Sequence, residues 1–140
     1  MKPEERKSAM ATHRETKYKE NATFRNQIHS ENMTFLKNKL ANNKKLTDAQ
    51  KTELINFFEN QYQENSSYRQ QRHNENVAFF EKIANDSNLT QEQKKETIKT
   101  HRQEEKAEYA KIKEGQRAKR KAEREKIHSE VKAQGETGNK

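Results

Sequence analysis

"RNQIHSENMTFLKNKLANNKKLTDAQKTELI" occupies residues 25–55, and "RQQRHNENVAFFEKIANDSNLTQEQKKETI" at 69–98 says nearly the same thing again. Arg25/Arg69, Gln27/Gln71, His29/His73, Glu31/Glu75, Asn32/Asn76 and Phe35/Phe79 each lie 44 positions apart. Leu46/Leu89, Thr47/Thr90 and Gln50/Gln93 lie 43 apart, so one residue is missing from the second copy's loop. The match continues upstream, where "YKENATF" (18–24) faces "YQENSSY" (62–68). So many identities in one register point to an internal duplication of about 44 residues.

Each copy carries the same punctuation. "ANNKK" (41–45) and "ANDSN" (84–88) are rich in turn formers and poor in helix propensity. Both are followed by L-T-x-x-Q. Thr47 and Thr90 suit the helix N-cap, where a hydroxyl accepts a bond from an orphan backbone N–H. Gln50 and Gln93 sit where their side chains can reach back to the cap N–H, which completes a capping box. Asp48 and Glu92 suit the positive end of the helix dipole. The resulting fold class is all-α: three long antiparallel helices, about 12–42, 47–85 and 90–132, joined by short turns. Residues 12–132 form a single helical-repeat domain between a flexible N-terminal tail (1–11) and a disordered C-terminal tail (133–140), with Gly135 and Gly138 ending the order.

A shorter rhythm runs inside the repeat. Phe24, Phe35, Leu46, Phe57, Tyr68 and Phe79 are each 11 apart, and 11 residues make three turns of a nearly unstrained helix. These residues are expected on one stripe, in the seam. Folding the first hairpin about residues 44–45 puts Phe35 near Leu54 and His29 opposite roughly residue 60. The middle helix has the fullest seam, from Leu54, Phe58 and Tyr62 to Ile83. The last part of the third helix, poor in apolar residues, is expected to project or pack loosely. Asn21, Asn32, Asn65 and Asn76 each precede an aromatic by three positions. They either face water beside the seam or sit in it and fix its register.

Composition limits what such helices can build. Apolar residues make up 27% of the 140 and charged residues 37%, so a thin seam is affordable and a thick core is not. Gly and Pro number only 3 and 1, which favours long helices over disorder. The net charge of +8 is mostly interleaved, as on a solvated helix surface. Lys111–Lys126 is less balanced, with eight basic residues against three acidic, and could serve an anionic partner. No stretch is apolar enough to span a membrane. The opening "MKPEERKSAM" is no signal peptide, so the protein is cytoplasmic unless an export signal preceding Met1 has been removed, in which case it is periplasmic.

Nothing in the chain supports catalysis. There is no nucleophile elbow, no Gly-rich phosphate loop and no dinucleotide fingerprint, so an enzyme is not expected and no cofactor is implied. Cys is absent. None of His13, His29, His73, His101 and His128 has a second His at i+3 or i+4, so no metal site is expected.

"KLTDAQKTEL" and "NLTQEQKKETI", in a small, Cys-free, basic helical chain, resemble the helix-opening motif of the Spy/CpxP-type periplasmic proteins, the LTxxQ family. The similarity covers residues 46–60 and 89–100. It implies an ATP-independent chaperone or envelope-stress accessory protein, a homodimer, that holds unfolded or partly folded proteins on a basic, partly apolar helical surface. On that reading the client-binding residues are Phe57, Phe58, Tyr62, Phe79 and Phe80, with Arg69 and Arg72 supplying charge. Two other readings stay open. One is a structural helical-repeat scaffold that binds a specific protein partner or itself. The other is a nucleic-acid accessory protein using the basic 111–126 segment.

Overall fold

The computed structural model describes residues 2–138, the side chains of 136–138 excepted. It contains three helices in succession, α1 (Pro3–Ala41), α2 (Asp48–Asn85) and α3 (Gln91–Gly138). No strand occurs among the described residues. The helices run up, down and up, with α2 packed against both neighbours, while α1 and α3 make no close backbone approach to each other.

The two reversals use the same local chemistry. Lys45 N–H donates to Asn43 Oδ1, and Asn88 N–H donates to Asp86 Oδ1, both at 2.9 Å. These side chains stand in for backbone partners where the helix stops. The following helices open on two matching capping boxes. Thr47 N–H donates to Gln50 Oε1 (2.9 Å) and Gln50 N–H to Thr47 Oγ1 (3.1 Å). Thr90 and Gln93 repeat both distances.

The outer helices exceed the expected bounds. α1 begins at Pro3 rather than near 12, and the sequence carries a start signal there. Pro3 occupies the first helical position, where a missing N–H costs nothing. Glu4 and Glu5 sit in the first turn, and the Lys2 N–H donates to Glu5 Oε2 at 3.2 Å. α3 continues through 133–138. Of the expected tails, Met1 and residues 139–140 lie outside the described residues.

Packing follows an 11-residue rhythm in a different phase from the aromatic stripe. In α1 the covered positions include Tyr18, His29 and Leu40, then Ala22 and Met33, and Arg14, Arg25 and Leu36. In α3 they include Lys94, Glu105, Gln116 and Ile127. Phe24 and Phe35, expected in the seam, instead stand 63% and 69% exposed. Their counterparts Tyr68 and Phe79 are half-buried because α2 has a second neighbour and α1 does not.

The α1–α2 pair is built symmetrically. His29 of α1 donates to Glu59 of α2 (3.0 Å) and stacks on Tyr62 (3.7 Å between ring centroids). His73 of α2 donates to Glu15 of α1 (2.7 Å) and stacks on Tyr18 (3.8 Å). Every member of one set is the 44-residue counterpart of a member of the other, so the two antiparallel helices are related by a local two-fold. His29 lies opposite residue 60, as the hairpin register predicts.

The α2–α3 seam is largely polar. Gln50 Nε2 donates to Glu130 (3.1 Å), Gln61 Nε2 to the Gln116 carbonyl (3.2 Å), and Asn76 Nδ2 to Glu105 (3.1 Å). Gln116 donates to Asn65, and Lys126 to Glu53. Contrary to the expectation of a loose end, these bonds hold the second half of α3 along α2, and Ile127 is buried there. Exposed area is 11010 Å², against about 7,600 Å² for a compact 16.6 kDa chain. The seams are therefore thin, and no side chain among the described residues is completely buried.

Candidate functional site

The seven residues assigned to client binding fall on both sides of α2. Phe58 and Tyr62 line a groove against α1 with His29, Met33 and Leu36. Phe80 also meets α1, with the Arg14 guanidinium 4.3 Å from its ring centre. Phe79 faces α3 and stacks on His101 at 3.8 Å. Arg72 spends its charge on Glu75 (3.2 Å), Glu105 (3.3 Å) and Glu108 (2.6 Å). Burial works against that charge, but Glu105, Tyr68 and Glu108 outweigh it and raise the Arg72 pKa above its ordinary value. Phe57 is half-buried and meets Phe58 edge to face. Phe58, Tyr62, Phe79, Phe80 and Arg72 are thus engaged with neighbouring helices, whereas Arg69 borders the groove between the helices.

Most of the exposed large apolar side chains lie on α1, with Val77 of α2 and Tyr109 of α3 the others among the described residues. Met10, Phe24, Ile28 and Phe35 follow helical spacing and are all exposed. A 44-residue shift turns Asn21, Phe24, Asn32 and Phe35 into Asn65, Tyr68, Asn76 and Phe79, the face on which α2 receives α3. The free edge of α1 is thus built like an occupied one. Besides Phe24 for Tyr68, the face differs at its centre, where Ile28 takes the place of the carboxylate-binding Arg72. This edge was legible in the repeat alone: the same stripe occurs on two helices, and only one of them has a neighbour on that side.

The Asn positions divide in the same way. Asn65 and Asn76 sit half-buried in the α2–α3 seam, bonded to Gln116 and to Glu105 and His101, whereas Asn21 and Asn32 are exposed. The basic segment 111–126 is partly tied to α2. Lys126 pairs with Glu53, Lys119 with Glu64 at 3.9 Å, and Arg120 donates to Gln61 at 3.4 Å. Beside this contact, Glu123 Oε1 is buried with no hydrogen-bond partner. Burial and the facing Glu53 raise the Glu123 pKa, while the Lys126 bond lowers that of Glu53.

Among the described residues no group of three or more His, Asp or Glu side chains could hold a metal ion. No described helix is long and apolar enough to cross a membrane. The fold and its surfaces define an extended, three-helix antiparallel protein whose outer helix presents an unpaired aromatic edge. No protein-family model, curated protein or solved structure matches the chain.

Proposed function

We propose that this chain is a non-enzymatic protein-binding protein of the ATP-independent holding kind that the LTxxQ resemblance implies. It takes unfolded or partly folded clients on the free edge of α1. The observation that carries this reading is the exposure of Phe24, Ile28 and Phe35 on a face equivalent to the one α2 uses to hold α3. An amphipathic segment that can become helical fits such a face. With Ile28 where α2 has Arg72, the edge favours an apolar stripe over the carboxylates that α3 offers. Singly spaced aromatics rimmed by Asn, Lys and Glu give weak, adaptable binding, as suits many clients.

The test is suppression of aggregation of a heat-denatured client, without ATP, by the wild type and by a Phe24→Ser/Phe35→Ser variant. Both side chains point into solvent, so the variant keeps its helical circular dichroism. Protection by the wild type and its loss in the variant are expected. No protection at several-fold excess of wild type, or equal protection by both, overturns the proposal. A concentration-dependent dimer that disappears in the variant, without client protection, supports the scaffold reading instead.

A further inference from the structure

An open groove of about 400 Å³, bordered by all three helices, carries an excess of cationic side chains. Tyr18 and Arg25 border it from α1, Tyr68 and Arg69 from α2, and Lys106 and Tyr109 from α3. The other ionic groups at its margin are already paired, Arg72 with three glutamates and His73 with Glu15. The side chains of Arg25, Arg69 and Lys106 have neither an acidic partner nor a hydrogen bond among the described residues. Burial lowers the Arg69 pKa, and the charge of Arg25 lowers it further.

Two guanidiniums that repel each other on half-buried ground are a standing cost to the fold. The Tyr68 hydroxyl adds a second cost, because it is buried with no partner. Arg25 and Arg69 are also counterparts in the repeat, so the local two-fold of α1 and α2 relates one to the other. A bridging anion would answer all three features, since guanidinium forks match oxyanion geometry and a phenol donates to the same oxygens.

We propose that this groove binds a phosphate-class dianion, held between Arg25 and Arg69 and receiving a hydrogen bond from the Tyr68 hydroxyl. The site does not depend on the client-binding edge, which lies on a different face of α1. Two sources carry the same chemistry, free inorganic phosphate and a phosphoryl group on a larger molecule. The surrounding tyrosines favour a phosphoryl group attached to a flat body.

Thermal unfolding of the full chain tests the proposal, with phosphate compared against chloride at equal ionic strength. For a dissociation constant on the order of 1 mM, about 10 mM phosphate raises Tm by about 6 °C beyond chloride. Arg25→Gln and Arg69→Gln each abolish that increment, yet melt no lower than wild type in chloride because each relieves a like-charge contact. Tyr68→Phe weakens phosphate binding several-fold in a calorimetric titration. Phenyl phosphate binding several-fold tighter than inorganic phosphate identifies a phosphoryl group on a larger molecule, and equal binding identifies the free ion. The proposal is overturned if phosphate does no more than chloride, or if the two Arg variants keep the increment.

Discussion

Gln50 and Gln93 occupy the same place in two matching capping boxes, yet replacing each with Ala is expected to cost very different amounts. Gln93 is exposed, and its side chain accepts only from the Thr90 N–H. Gln93→Ala therefore removes one reciprocal cap bond, about 1 kcal/mol. Gln50 makes the same bond to Thr47 and also donates to Glu130 of α3, while only 5% exposed. Glu130 is 40% exposed, which holds the cross-helix bond to about 1 kcal/mol despite its charge. Removing the buried γ-methylene adds about 0.8 kcal/mol. Gln50→Ala should thus cost about 3 kcal/mol. At about 4 °C per kcal/mol for a chain of this size, Tm falls by about 12 °C for Gln50→Ala and about 4 °C for Gln93→Ala. Thermal and urea melts followed by circular dichroism measure both, and a cycle with Glu130→Ala isolates the cross-helix bond. Equal losses for the two Gln variants, or no coupling between Gln50 and Glu130, would refute the reasoning.

Two further outcomes follow from the same seam. Asn76→Leu should lower stability by about 1–2 kcal/mol, because Glu105 and His101 lose a shared partner, whereas Asn32→Leu should change it by less than about 0.5 kcal/mol. Urea melts of the two single variants make the comparison. Glu123→Gln should stabilise the protein at neutral pH by about 1 kcal/mol, since an amide can donate to Glu53 where a carboxylate cannot. The Glu123 pKa is raised on folding, so its ionised form weakens the fold and its protonated form does not. The gain of the variant over wild type should be fullest above that raised pKa and should shrink as pH falls through it towards 4.5. A gain that grows on acidification would contradict this account.

The repeat made much of the fold readable. L-T-x-x-Q placed two helix starts within a residue, the Asn-rich runs placed both turns, and the hairpin register put His29 beside Glu59 and Tyr62. What stayed hidden has a physical cause in each case. An 11-residue aromatic stripe says which residues share a face but not whether a neighbour covers it, so Phe24 and Phe35 read the same as Tyr68 and Phe79. The α2–α3 seam rests on Gln50, Gln61, Asn65, Asn76 and Glu105, and hydrogen-bonded amides and carboxylates leave no mark in an apolar pattern. For the same reason the second half of α3 looked unattached. The start of α1 was missed although Pro3, Glu4 and Glu5 announce it, because no apolar residue of the seam lies among them.

Among the described residues α1 and α3 approach closely only α2, so the backbone packing joins helices that are neighbours in the chain. The ends to be brought together are never far apart in sequence, and loop closure costs little. Either hairpin can form first, and either outer helix can peel away without dissolving the other pair. Amide hydrogen exchange should accordingly be slowest in α2, with α1 and α3 opening at separate, lower free energies. A chain arranged in this way behaves as a short one-dimensional array, whose length can change by a helix without rebuilding the contacts that remain.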